Sequence, residues 1–426
     1  MILKRINTVF LCAVLIFAFI FNSVGCSSTA VTGYAATDLM KDVWSCELDE
    51  VALDERFVDS QIEFAVRLFK GTYSADTSVN TLVSPLSVTV ALAMAANGAD
   101  GDTLSQFETV IGGGISINEL NGYLGEYLGR LMKNENSIIS VANSIWFRET
   151  ETLNVNREFL RDAKLYYGAG AYSSPFDGST VDDINKWVSD NTNGLIPKML
   201  DSISERELMI LLNTVLLQAR WNWEYSKDKI TENDFTAIDG TVKRVEMMSS
   251  VEKIYIETEN AIGFMRNMSG YKFVAVLPNE DIGIEEYIAS LDADEVRKIL
   301  TSNDVRRVHA QLPKFKYDYS IELKNILVNM GISHAFSDGS ADFTRMAETV
   351  DNLYFSGIEH KTAIELDEQG IKAAAATAVK LYASAAPGGE KPQEVYVTLD
   401  RPFVYFIIDE KEGIPVFIGA VTDIGK

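Results

Sequence analysis

Residues 368–387 read EQGIKAAAATAVKLYASAAP, and two local structures compete for them. Ala373, Ala374, Ala375 and Ala376 form the best helix-forming run in the chain, which favours a surface helix. Beneath it lies a period of two. Ile371, Ala373, Ala375, Thr377, Val379 and Leu381 fall on one face of an extended chain, with Lys372 and Lys380 on the other. As a strand, the segment has one buried and one wet face, and its small residues let it slide between existing strands without a clash. Periodicity alone does not choose between helix and strand. No turn chemistry follows until Pro387-Gly388-Gly389, and long stretches of this kind in compact domains are usually functional.

The rest of the chain bounds what that segment serves. With 426 residues, 47% hydrophobic and only 9 prolines, the chain is neither disordered nor a fibrous repeat. A net charge of −23, from 38 basic and 61 acidic residues, speaks against nucleic acid as a partner and favours a soluble monomer. The three cysteines, Cys12, Cys26 and Cys46, all precede residue 50, so no core disulfide framework or cysteine-rich zinc site is available. With three histidines, His309, His334 and His360, neither a metal nor a cofactor is expected.

Lys4 and Arg5 precede an apolar run, Val9 to Phe21, too short for a transmembrane helix and right for an export signal over residues 1–25. Val24-Gly25-Cys26 resembles a bacterial lipobox, with Ser23 where leucine is usual. The expectation is lipidation at Cys26 and a body outside the cell; a plain signal peptide and an uncleaved anchor are the alternatives. Loss of residues 1–25 removes Lys4 and Arg5 and no acid, giving −23 − 2 = −25. Residues 26–50 read as a flexible tether, since 27–40 are rich in Ser, Thr, Ala and Gly.

From residue 51 to 426 there is no linker and no internal repeat, so one large domain is expected. A helix is predicted over 55–70, and a capped one from Ser84 to Ala96. Strands are predicted at Val141–Phe147, Leu208–Leu217, Lys272–Leu277, Val308–Phe315, Leu353–Ile358, Val395–Leu399, Phe403–Ile408 and Val416–Val421. Helices early and strands late indicate an α+β fold. The sequence has no G-x-S-x-G, H-E-x-x-H, C-x-x-C or Walker loop, and Gly112-Gly113-Gly114 reads as a turn, so the chain is not expected to be an enzyme.

Several short blocks stand in a fixed order. Asn80 with Ser84-Pro85-Leu86-Ser87 and Asn97-Gly98-Ala99 come first. Ile184-Asn185-Lys186-Trp187-Val188, Thr192-Asn193-Gly194-Leu195-Ile196, Leu212-Asn213 and Trp221 follow. Then come Leu312-Pro313-Lys314-Phe315, His360-Lys361, Glu368-Gln369-Gly370 ahead of the alanines, and Val397 to Ile407. Together they resemble the serpins, the large family of serine-protease inhibitors, over about residues 55–424.

The resemblance implies a large central sheet with smaller sheets and helices, and an exposed reactive loop at about 368–393. It implies suicide-substrate trapping. A protease cuts the loop, the freed segment enters the central sheet as a strand, and the acyl-linked protease is carried along and distorted. Fourteen residues at about 3.3 Å each span on the order of 46 Å. The native fold forgoes that strand and is metastable. Glu368, Gly370, Ile371, Ala373, Ala374, Ala375, Ala376 and Thr377 match the family's hinge. Ser84, Ser87, Asn213 and His360 match its shutter, and Trp221 and Glu368 its breach. Family spacing from Glu368 puts the reactive bond at Ser384–Ala385, in the setting Tyr382-Ala383-Ser384-Ala385-Ala386. Small residues suit an elastase-like serine protease as the partner. Tyr382 offers a chymotrypsin-like site and Lys380 a trypsin-like one, though cleavage upstream shortens the inserted strand. Ile371 departs from the usual Thr or Ser and is bulkier, which is expected to slow insertion. The rival readings are a non-inhibitory serpin acting as carrier, chaperone or adhesin, and an unrelated enzyme or solute-binding lipoprotein.

Overall fold

The computed structural model describes residues 33–44, 46–133, 137–205, 207–349, 352–371 and 392–425. The export signal, Cys26 and residues 372–391, with the expected reactive bond, lie outside the described residues.

The architecture is α+β, built on two sheets. Across the seven-stranded sheet the order is Thr37–Asp38, Gly170–Ser174, Ser137–Arg148, Met209–Arg220, Gly370–Ile371, Glu359–Asp367 and Phe315–Glu322. The nine-stranded sheet runs Glu394–Thr398, Asp304–Pro313, Val242–Glu257, Ala261–Met268, Tyr271–Pro278, Phe403–Asp409, Pro415–Val421 and Thr81–Val83, with Ile230–Thr236 branching from Val242–Glu257.

The helix Pro85–Asn97 packs against both the Met209–Arg220 and Pro415–Val421 strands, and all its residues are buried. Its sequence, PLSVTVALAMAAN, is apolar all round, as a helix between two sheets must be. Ser84 caps it by accepting the Ser87 N–H, and Pro85 sits where its missing N–H costs nothing. The first long helix is Glu55–Ala75, one turn longer than predicted, capped by Asp54.

Two expectations need correction. Leu353–Ile358 forms no strand; the strand is Glu359–Asp367, where pairing with Phe315–Glu322 begins. In it His360, Thr362, Ile364 and Leu366 alternate inward. Two of those four are polar, which hid the period. The tether expected over 26–50 also ends early. Thr37 and Asp38 pair with Ser173 and Tyr172, Leu39 N donates to Ala171 O at 2.9 Å, and Met40 is buried. Apolar Leu39, Met40 and Val43 pack on the core, so the ordered body starts before residue 51.

The candidate functional site: hinge, breach and shutter

The strand Glu359–Asp367 turns back at Glu368-Gln369 into Gly370–Ile371. Asp367 holds the turn by accepting the N–H of Gln369 at 2.8 Å and of Gly370 at 3.3 Å. The two returning residues pair on both sides: Gly370 with Asp367 and Arg220, Ile371 with Leu366 and Ala219. Among the described residues, only these two are paired between Met209–Arg220 and Glu359–Asp367. Gly370 has φ +139°, and a Cβ there would lie 2.2 Å from Ala219 O, so the position admits glycine alone. Ile371 is buried at 5% exposure, seated in the sheet rather than waiting to enter it.

Trp221 sits beside this turn, 3% exposed. Its Nε1 donates to Asp367 O at 2.8 Å and its backbone N–H to Gln369 O at 3.0 Å, while Tyr225 N–H donates to Glu368 O at 3.0 Å. The indole meets Tyr225 and Phe273 edge-on. Glu368 reaches Lys314 Nζ at 2.8 Å, and Glu246 meets the same ammonium at 3.3 Å. The hydrogen bond from Lys314 holds the Glu368 carboxyl below its usual range. Burial pulls the Lys314 ammonium down, but its two carboxylate partners outweigh that and raise it. Trp221 and Glu368 are thus brought together, and Lys314, quoted in sequence only as part of a block, links them to the next sheet.

The polar cluster lies further down the same gap. His360, fully buried, accepts the Ser84 N–H at its Nε2 at 3.2 Å, so its proton is on Nδ1. Burial holds the imidazole down to about 4, which keeps it neutral. Ser84 Oγ donates to Val416 O at 2.9 Å. Ser87 Oγ donates to Asn213 Oδ1, whose Nδ2 donates to Asn143 Oδ1. Asn143 Nδ2 in turn donates to Tyr167 O at 3.0 Å. Ser84, Ser87, Asn213 and His360 therefore meet in one network across a helix and both flanking strands. Asn143 extends it and carried no sequence signal, because only the sheet register places it opposite Asn213.

This constellation holds hydrogen-bonded neutral groups and no nucleophile with an adjacent base. Among the described residues there is no group of metal-ligating side chains. The network ties the two flanking strands together through the start of the helix Pro85–Asn97.

The chain matches the serpin (serine protease inhibitor) family over residues 59–424 and belongs to it. The family takes its name from the inhibition of serine proteases rather than from a catalytic activity. Serpin B10 of Sorex araneus is 27% identical over 392 residues, covering 84% of this chain and 96% of that protein. The thermophilic serpin tengpin in its native state matches with a TM-score of 0.84 and 40% identity, covering 91% of this chain and all of that one. Tengpin in its latent state matches less well, with a TM-score of 0.78 and 39% identity, covering 88% of this chain and 100% of that one.

Proposed function

We propose that this serpin inhibits serine proteases by trapping them as the cut reactive segment enters the central sheet. The observation that carries this reading is the double pairing of Gly370–Ile371. Continued downward, the two registers set Ala373 opposite Leu217 and Ile364, Ala375 opposite Val215 and Thr362, and Thr377 opposite Asn213 and His360. Val379 falls opposite Leu211 and Ile358. These facing residues are buried apart from half-buried Asn213, so the apolar face of the segment meets the core. On the other face Lys372 comes beside Glu365, and Ala374 and Ala378 come beside buried Leu216 and Leu212, where small side chains fit. Thr377 then delivers a hydroxyl into the network around Asn213 and His360, which is the polar contact that site accepts.

The reactive bond we assign is Ser384–Ala385, read by an elastase-like enzyme, with Tyr382 or Ala383 as neighbouring points of attack. Lipidation of Cys26 anchors the body at the outer surface of the cell. An N-terminal residue other than Cys26, found by mass spectrometry of the exported protein, removes the anchor.

The test mixes the protein lacking residues 1–26 with elastase-like, chymotrypsin-like and trypsin-like proteases. The expected result is a complex that survives denaturing electrophoresis, with a released peptide beginning at Ala385. Cleavage with no complex, and no gain in thermal stability afterwards, overturns the proposal.

A further inference from the structure

An open cavity of about 630 Å³ lies beside the breach, between the Trp223–Lys229 loop and the strand Glu394–Thr398. Its rim carries two large exposed aromatic side chains, Trp223 at 54% and Tyr396 at 69%. Tyr396 is held flat by stacking on His309, ring centroids 4.7 Å apart. The inner wall is Tyr225 with the Arg266 guanidinium lying 3.9 Å from its ring centroid. Arg266 is 7% exposed. Its two terminal nitrogens are taken by Glu252 and Trp223 O, and its Nε, also buried, has no hydrogen-bond partner.

Most of the charges around the cavity pair off. Arg220 meets Glu224 at 3.2 Å, Arg266 meets Glu252, and Arg307 meets Glu394 at 3.7 Å, with His309 at 3.4 Å from the same carboxylate. Lys229 lines the cavity and makes no ion pair among the described residues. In a chain with a net charge of −23, a concave aromatic site lined by an ammonium that makes no close ion pair, the Asp228 carboxylate beside it in the chain feeling its charge from further off, is a local exception. Flat aromatic walls with a few convergent polar groups are the ordinary make-up of a small-molecule site.

We propose that this cavity binds a small aromatic monoanion, its ring between Trp223 and Tyr396 and its charge toward Lys229. The ligand touches both the Trp223–Lys229 loop and the strand Glu394–Thr398. Among the described residues the strand Glu394–Thr398 is an edge strand, paired on one side to Asp304–Pro313, and in sequence it follows the reactive segment. The Trp223–Lys229 loop continues from Trp221. A bound ligand therefore holds the edge strand against the loop and opposes entry of the uncut segment into the central sheet. This second half rests on the insertion mechanism proposed above.

The test uses 2-naphthoate as the probe and 2-naphthylmethylamine, a cation of similar shape, as the control, both by calorimetry on the protein lacking residues 1–26. Saturable one-to-one binding of the naphthoate alone is expected. Lys229→Gln weakens it about fivefold or more and Tyr396→Ala at least about threefold. Both side chains are exposed, so both variants fold. Conversion of the uncut protein to a urea-resistant form at elevated temperature slows about threefold in saturating naphthoate. No binding, equal binding of the amine, or binding indifferent to both substitutions overturns the site. Binding without slower conversion overturns the holding role. If the protein traps no protease, the function proposed above fails while the calorimetry still reads the cavity.

Discussion

The upper and lower ends of one gap between two strands are closed by opposite chemistry. At the breach the closing groups are charged and partly wet: Lys314 and Glu368 side chains are 21% and 28% exposed. At the shutter they are neutral and dry, with His360 buried beneath a capped helix. A charged pair near solvent tolerates distortion and responds to salt. A buried neutral network tolerates neither a missing partner nor an added charge. The difference means that salt and solvent act on the upper end of the gap more readily than on the lower.

The largest effect is expected at the junction itself. Gly370→Ala forces a Cβ to within 2.2 Å of Ala219 O in a left-handed backbone, and roughly 2–3 kcal/mol of native stability is lost or the hinge unseats. Thermal unfolding of the intact protein measures it. An unchanged midpoint means Gly370 and Ile371 are not held between the two strands, and the comparison loses its upper term.

Acid separates the two ends next. The His360 imidazole is held at about 4 against an ordinary 6.5. Between those values the unfolded chain takes up a proton that the native fold refuses. Stability present above pH 6.5 is therefore lost as pH falls toward 4, by roughly 3 kcal/mol in all. The lowered Glu368 carboxyl acts in a different window: its contribution is present above 4.5 and is lost only as pH falls below it. His360→Asn is expected to flatten the upper window and leave the lower. Stability profiles of both proteins from pH 7 to 4 that run parallel would refute a buried neutral imidazole.

Salt gives the smallest effect. Lys314→Met removes about 0.5–1 kcal/mol at low ionic strength and almost nothing in 1 M salt, since both partners are partly exposed. A loss of the same size in both media would show the breach to be as dry as the shutter.

Much of the fold was legible because its strands are apolar. Phe403–Asp409 and Pro415–Val421 bury every residue and read directly. Glu359–Asp367 did not, since buried His360 and Thr362 look like surface residues until a partner strand is supplied. Val242–Glu257 also escaped, because its long wet face breaks up the apolar pattern. The site divides the same way. Ser84 was readable from its cap, and His360, Asn213 and Trp221 from block spacing. Asn143, Arg266 and the Lys314–Glu368 pair depend on neighbours that lie 70, 14 and 368 − 314 = 54 residues away in the chain, which no local pattern encodes. The Ala-rich stretch carried the signal of alternation, while the pairing of Gly370–Ile371 ahead of it depends on both neighbouring strands.

One edge of the central sheet ends in a strand of only two residues, Thr37–Asp38. An open edge is where identical chains recruit one another into larger aggregates. Here the chain's own leading segment occupies that position and leaves a stranger almost no ladder to extend. The short leading strand makes each molecule a poor template for the next.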